Sequence, residues 1–399
     1  MNIKIHRGLD QIGGCITEIW TDTSRVFIDF GQNLPGNGEQ TTSEQDKNLV
    51  DGIISQNIKE YQAVFYTHAH EDHVGLFHHI PEVIPQYIGE GAKEILLSKY
   101  YYLIEGAKRS GEDPTEKEAK RARIETFLTW AKGNTEPITI GDIRITPFFC
   151  CHSIYDSYMF LIEADGKRIW HTGDYRQHGY MGKRLFDVLS IFAKDIDVLI
   201  TEGTMLNRDD ACVHERSLSK KMSLVMQAFK YVFVLASSTD IERLATIKQG
   251  AQLAKKKYYV NSGFMNATMR IFTEREADKS HGLFSFHPRF YSDEKKMKNL
   301  KREGFVLITG TSKLEDVKKM IDLLPVSETI LIYSSWDGYY KIPEQVNVNS
   351  KYKDFRDMFS NVVDIHTSGH ADRTTIKKVI ETVKPEEVIC IHKEADAKL

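Results

Sequence analysis

An α/β fold in two parts is the architecture this sequence predicts, and three observations predict it. The first third reads as short alternating strands between tight turns. A histidine-rich loop follows one of those strands. From about His214 the pattern becomes a regular alternation of helix and strand. At 399 residues the chain has room for two ordinary domains, and a composition 41% hydrophobic and 27% charged is that of a globular protein with a sizeable core.

The elements follow in order. Asn2 to His6, Cys15 to Trp20, Val26 to Phe30 and Ala63 to Tyr66 read as strands, with Gly13-Gly14 at the first turn. Between about Glu94 and Lys132 the pattern turns helical, with a break at Gly111-Glu112-Asp113-Pro114 and a cap expected at Thr115. This reads as a helical insertion, and no function can be read from it. Strands resume from Pro137 to Cys150, and Tyr158 to Thr172 forms a hairpin turning at Asp165-Gly166, a pair that tolerates positive φ. Asp197 to Thr201 is a further buried strand. Tyr231 to Ala236, Tyr258 to Asn261, Phe305 to Thr309 and Thr329 to Tyr333 then alternate with amphipathic stretches, the pattern of a doubly wound sheet. Val362 to His366, Thr374 to Val383 and Val388 to Ile391 close the chain as strand, helix, strand.

Several classes are excluded or disfavoured. No apolar run reaches the roughly 18 to 20 residues of a membrane span, and Met1 to His6 alternates like a strand instead of resembling a signal peptide, so a cytoplasmic location is expected. Five cysteines without a C-x-x-C spacing indicate neither a disulfide framework nor a thiolate metal site. A net charge of −3 neither supports nor excludes a nucleic-acid partner.

The chemistry concentrates in Thr67-His68-Ala69-His70-Glu71-Asp72-His73, directly after an apolar strand. Three imidazoles and a carboxylate so close together cannot each find a private partner in a core, whereas zinc prefers this donor set. His68 and His70 alternate onto one side of an extended loop and can share an ion, leaving Asp72 and His73 for a second. His152, Asp174 and His392 also sit at strand ends. Each alone would read as a satisfied structural residue, and their shared position strengthens the ligand reading.

The pattern H-x-H-x-D-H, then a histidine, then an aspartate in Thr172-Gly173-Asp174-Tyr175, resembles the metallo-β-lactamase family, and Asp29 resembles its first structural aspartate. Beyond Asp197 the resemblance narrows to the β-CASP nucleases, such as ribonuclease J and the pre-mRNA cleavage endonuclease. It rests there on Glu202 in Thr201-Glu202-Gly203-Thr204, His370 in Thr367-Ser368-Gly369-His370-Ala371, and His392. It implies an αββα sandwich, residues 1–204 and 362–399, interrupted by a doubly wound α/β domain, residues 205–361. It further implies two Zn²⁺ ions, with Mn²⁺ as an alternative: His68, His70 and His152 on one, Asp72, His73 and His392 on the other, and Asp174 bridging. Asp72, Glu202 and His370 would be the catalytic residues, His370 paired with Glu202 as proton donor to the leaving 3′-oxygen.

The expected function is hydrolysis of RNA phosphodiester bonds, internally or from the 5′ end, leaving 5′-phosphate and 3′-hydroxyl products, with single-stranded RNA held between the two domains. A DNA nuclease or small-phosphodiester hydrolase, and a catalytically silent binding subunit, are the alternatives; a histidine at motif C favours RNA, and the intact ligand set argues against the last. Ser237, Ser238 and Thr239, at a strand end opening a helix, could bind phosphate through hydroxyls and free amides, or serve as an ordinary cap at Thr239 or Asp240. The resemblance adds Ser368 and Gly369 to the substrate side. Lys255-Lys256-Lys257, Lys295-Lys296 to Lys301 and Tyr100-Tyr101-Tyr102 could follow a nucleic-acid strand, or be a solvated face and core packing. Motif C, Ile391-His392-Lys393-Glu394, lacks the family's usual glycine after the histidine. The chain ends seven residues after His392, so the C-terminal dimerisation domain of ribonuclease J is expected to be missing.

Overall fold

The structure is a computed structural model that describes residues 1–36, 40–208, 212–291 and 300–399. Lys295 and Lys296 lie outside the described residues. The chain divides into two compact units, one formed by 1–212 with 369–399 and the other by 213–368.

The first unit holds two six-stranded sheets. One runs in order β1 (Asn2–Arg7), β2 (Ile16–Trp20), β3 (Ser24–Ile28), β4 (Tyr61–Phe65), β5 (Gln86–Gly89) and β6 (Leu128–Trp130). The other runs β18 (Glu387–Ile391), β11 (Val198–Glu202), β10 (Lys167–His171), β9 (Ser157–Ala164), β8 (Ile143–Cys150) and β7 (Ile138–Ile140). Their facing surfaces share one core: Ile19, Val26, Ala63 and Phe65 meet Ile145, Phe160, Ile162, Ile200 and Ile391. Helices Ser43–Ser55, Glu90–Ser110 and Thr115–Glu125 cover the outer face of the first sheet, supplying Val50, Leu96, Tyr100 and Ile124 to a second cluster. Helices Leu185–Phe192 and Arg373–Val383 cover the outer face of the second sheet through Leu189, Ile376 and Val379. The layers are therefore helix, sheet, sheet, helix, as expected from the metal-loop resemblance.

Local chemistry explains several elements. At the β9–β10 turn Asp165 and Gly166 both take positive φ, 52° and 70°, the combination a two-residue hairpin favours. The helical stretch expected over 94–132 ends earlier: helix Thr115–Glu125 is followed by strand β6, and the cap position is Pro114 instead of Thr115, with the preceding Asp113 carboxylate accepting from the Thr115 amide and hydroxyl. The segment is no appendage, because Leu96, Tyr100 and Ile124 belong to the core. Tyr100 is buried while Tyr101 is half exposed, so the tyrosine run is split between packing and surface.

The second unit is a six-stranded parallel sheet, ordered β14 (Arg289–Phe290), β13 (Tyr258–Val260), β15 (Phe305–Thr309), β12 (Tyr231–Leu235), β16 (Thr329–Tyr333) and β17 (Val362–Asp364). Strand β17 pairs with β16, Leu331 opposite Val362. The segment placed at the start of the returning metal-bearing part thus completes the inserted sheet, since backbone pairing outweighs its position in sequence. Arg243, fully buried, holds Glu215 through its Nε and Nη2 and also donates to Ser334 and the Thr367 carbonyl, so its charge is matched inside the unit.

Candidate metal centre

The loop after β4 is fixed from beneath. Asp29, at φ 64° after β3, accepts from the Thr67 amide at 2.7 Å and the Thr67 hydroxyl at 2.9 Å, and faces His73 Nδ1 at 2.8 Å. That contact commits the His73 proton to Nδ1 and turns Nε2 inward. The short helix Glu71–Val74 hangs on three backbone bonds: the Cys15 amide to the Asp72 carbonyl, Phe30 to His73, and Gln32 to Glu71.

The other groups stand at the ends of strands in the second sheet. His152, after β8, places Nδ1 2.8 Å from the Gly369 carbonyl, which leaves Nε2 facing His70 Nδ1 at 3.2 Å. His68 Nε2 is 3.0 Å from the same His70 nitrogen. His392, at φ 52° after β18, donates its amide to the Gly8 carbonyl, and its Nε2 lies 3.1 Å from Asp72 Oδ2. Asp174, after β10, faces both groups. Its Oδ2 is 3.1 Å from His73, 3.5 Å from His392, 3.7 Å from His152 and 3.9 Å from His68. The structure brings together all seven residues expected as ligands.

Two atoms at the centre indicate what the cluster is for. Asp174 Oδ2 and His73 Nε2 are buried and make no hydrogen bond among the described residues. They face each other at 3.1 Å as an ion pair, and nitrogens of His68, His152 and His392 surround the carboxylate oxygen within 3.9 Å. Ligands on one tetrahedral zinc stand about 3.3 Å apart, since each Zn–N bond is about 2.0–2.1 Å. The 3.0 and 3.2 Å separations among His68, His70 and His152 are close to that edge. His68, His70 and His152 form one ligand-competent group, and Asp174 with Glu202, His370 and His392 another.

Electrostatics suits cation binding. Burial and neighbouring imidazoles hold His68 and His152 well below the usual histidine range, and burial holds His70 at about 4, so these rings present free lone pairs at neutral pH. Burial disfavours the charged form of Asp72, but His73 and His392 outweigh it and draw the carboxyl down to about 2. His73 is the exception: against its burial, Asp174, Asp29 and Asp72 raise it well above its ordinary value, the charge a cation would replace.

Glu202, at the end of β11, accepts from the Tyr175 amide at 2.9 Å and faces His370 Nδ1 at 2.8 Å. Burial opposes protonation of His370, while Glu202 and Asp174 raise it above 6.5 overall. Thr204, not singled out as a site residue in the sequence, places its hydroxyl 3.2 Å from His370 Nδ1 and 2.7 Å from His392 Nδ1. Its place two residues after Glu202 was the available signal. Cys15 also lies within ligand range of His73 and His392, but burial pushes its thiol well above its ordinary value, so it faces them as neutral SH.

Ser237, Ser238 and Thr239 lie in the second unit, between β12 and helix Ile241–Leu253. The cap there is Asp240, whose carboxylate accepts from the Glu242 and Arg243 amides. That acidic group holds the helix N-terminus, so an anion there would depend on the hydroxyls of Ser237 and Thr239, 3.0 Å apart. Gly369 serves the metal-bearing unit through its carbonyl, and a Cβ on it would come within 2.4 Å of the Ser153 hydroxyl oxygen. Ser368 is the last residue of the second unit.

The beta-lactamase superfamily domain matches residues 43–232, and the Zn-dependent metallo-hydrolase RNA specificity domain matches residues 359–399. With the layered sheets and ligand cluster, these matches define the class: the chain belongs to the metallo-β-lactamase superfamily of metal-dependent hydrolases. Ribonuclease J of Mycoplasma genitalium is 21% identical over 97% of this chain and 67% of its own length. Ribonuclease J of Helicobacter pylori is 23% identical over 97% of this chain and 55% of its own. Transcription termination factor FttA of Pyrococcus abyssi is 21% identical over 97% and 66%. The chain thus spans about half to two thirds of the length of these relatives. A crystal structure of a protein of unknown function from Enterococcus faecalis superposes with a TM-score of 0.72 at 17% identity, covering 99% of this chain and 94% of the other, which shows a shared fold. These relatives, at low identity, agree with the resemblance to the β-CASP nucleases.

Proposed function

We propose that this protein is a two-metal ribonuclease that hydrolyses single-stranded RNA to 5′-phosphate and 3′-hydroxyl products. The observation that carries the reading is the buried carboxylate of Asp174, with imidazoles of both proposed ligand groups around it and the His370–Glu202 pair beside it. RNA as the substrate class is supported by the match to an RNA specificity domain and by the ribonuclease relatives. A metal-bearing part (1–212 and 369–399) interrupted by a substrate-side unit (213–368), and a cytoplasmic location, belong to the same reading; no helix among the described residues is long and apolar enough to cross a membrane.

In this reading His68, His70 and His152 hold one ion, Asp72, His73 and His392 the other, and Asp174 joins them. Bound zinc, or Mn²⁺ in its place, would supply a water nucleophile at neutral pH and neutralise charge on the phosphate. Asp29 and the Gly369 carbonyl orient His73 and His152 for that task. His370, protonated and held at Nδ1 by Glu202, presents Nε2 to give a proton to the leaving 3′-oxygen. Thr204 sets the His370 and His392 rings relative to each other. Ser237, Ser238, Thr239, Ser368 and Gly369 are the substrate-side residues of this proposal.

The test uses 5′-phosphorylated, 3′-labelled single-stranded RNA and the identical DNA, with metal content measured on the same samples and Asp72→Ala as control. RNA cleavage absent from the control is expected, and product lengths over time separate trimming from internal cuts. Intact RNA beside a fully loaded metal centre would overturn the reading, and preferential cleavage of DNA would replace it with a DNA nuclease.

Glu202→Gln keeps the shape of the side chain and removes its charge. Metal content is expected to hold while kcat falls about 10²-fold. The pH profile carries the sign: a raised pKa keeps the His370 proton to higher pH, so without Glu202 burial dominates and the alkaline fall in rate moves to lower pH. An unmoved alkaline limb would remove His370 from the donor role.

A further inference from the structure

At the carboxyl edge of the parallel sheet in the second unit, two buried side chains leave their polar atoms unused. Asn261, 6% exposed, follows β13, and neither its amide nitrogen nor its amide oxygen has a hydrogen-bond partner among the described residues. Thr309, fully buried at the end of β15, leaves its hydroxyl in the same condition. Strands β13 and β15 are neighbours with Val260 opposite Ile308, so Asn261 and Thr309 are the next pair in register. Tyr259 and Leu307, two positions earlier, share one hydrophobic cluster. Because side chains alternate along a strand, Asn261 and Thr309 fall on that same face, side by side at its open end.

Gly310, next after Thr309, continues the extended backbone at φ −120°. On the other side of Thr309 stands β12, Leu235 opposite it, leading directly to exposed Ser237. In open parallel α/β sheets ligands bind beyond the carboxyl ends of the strands.

The unused atoms specify the ligand chemistry. A phosphate offers acceptors, so it would satisfy the Asn261 nitrogen and the Thr309 hydroxyl and leave the Asn261 oxygen unpaired. A planar amide with donor and acceptor both open matches a partner carrying an adjacent acceptor and donor in one plane, which is the edge of a nucleobase; asparagine pairs with adenine in this bidentate way. We infer that Asn261 and Thr309 form a nucleobase-reading subsite within residues 213–368. The inference rests on the nucleic-acid reading above and adds a base contact to a substrate otherwise held by its phosphates.

The test titrates the metal-loaded full chain with AMP, GMP, CMP, UMP and ribose 5-phosphate at one fixed salt concentration. At least one nucleotide is expected to bind about 10-fold or more tightly than ribose 5-phosphate, the scale of one good bidentate base contact. Asn261→Leu, similar in size and apolar, should erase that preference while leaving ribose 5-phosphate affinity unchanged. Thr309→Val, which keeps the side-chain shape and removes the hydroxyl, should also weaken nucleotide binding with Asn261 intact. Nucleotides binding no better than ribose 5-phosphate, or a preference that survives both substitutions, would overturn the inference. RNA cleavage is followed on the same preparations: cleavage without a base preference defeats this subsite and leaves the ribonuclease reading standing, whereas neither cleavage nor nucleotide binding defeats both.

Discussion

Asp174→Asn is expected to strip the centre of metal and lower RNA hydrolysis by about 10³-fold or more, consistent with the several kcal/mol a metal ion contributes to the transition state. The substitution changes one oxygen to nitrogen and leaves the volume unaltered, so packing does not confuse the result. What it removes is the negative charge between the two imidazole groups: Oδ2 lies within 3.9 Å of His68, His73, His152 and His392. The remaining residues divide into a neutral group of three histidines and a pair of histidines with Asp72, with no charge shared between them. Metal analysis after dialysis and RNA turnover are the two readouts. A variant that keeps two ions per chain would show that Asp174 does not join the sites, and full turnover would remove it from the chemistry.

The largest structural effect is expected from Gly31→Ala. A Cβ at this position would stand 1.7 Å from the Asp72 carbonyl oxygen and 2.2 Å from its carbon, both backbone atoms that cannot rotate away. Gly31 also donates its amide to Cys15, so the strand ends around it cannot separate without losing the bonds that carry Glu71, Asp72 and His73. The expected cost is on the order of 4 kcal/mol or more, or roughly 10 °C in Tm for a unit of this size, with metal lost as well. Gly52 provides the contrast within the same fold. It sits exposed in helix Ser43–Ser55 with nothing within 4 Å of a Cβ, so Gly52→Ala should be neutral or stabilising by up to about 1 kcal/mol. Thermal unfolding of the two variants beside the parent decides; a Gly31→Ala protein as stable as Gly52→Ala would show that the Asp72 loop has slack.

The metal centre was legible because its chemistry is carried by residue type. Three histidines and an aspartate in one short loop have few structural uses, and His152, Asp174 and His392 each follow an apolar run. The supports were harder to read. Asp29 could be noticed as the structural aspartate of a known pattern, but its grip on both Thr67 and His73 depends on a left-handed backbone that sequence does not reveal. Thr204 touches two histidines from far away in the chain, and its place two residues after Glu202 was the only sign of it. Among the elements, β5 and β6 were missed because four and three residues are too few for alternation to show, and β6 lies inside a stretch rich in Lys and Glu. Strand β17 was assigned to the wrong side of the boundary because strand pairing with β16 is decided by tertiary contacts, which periodicity cannot rank. At the start of helix Ile241–Leu253 the cap is Asp240, whose carboxylate accepts two amides, a choice between Thr239 and Asp240 that sequence left open.

The contact between His392 and Asp72 joins residues 320 positions apart. His392 takes its place only when β18 adds to the edge of its sheet beside β11, after the entire 213–368 unit has been made. During synthesis the emerging chain therefore carries its three-histidine group before it carries the last ligand of the other group. On the proposed reading, any chain broken off before β18 is born without a working centre.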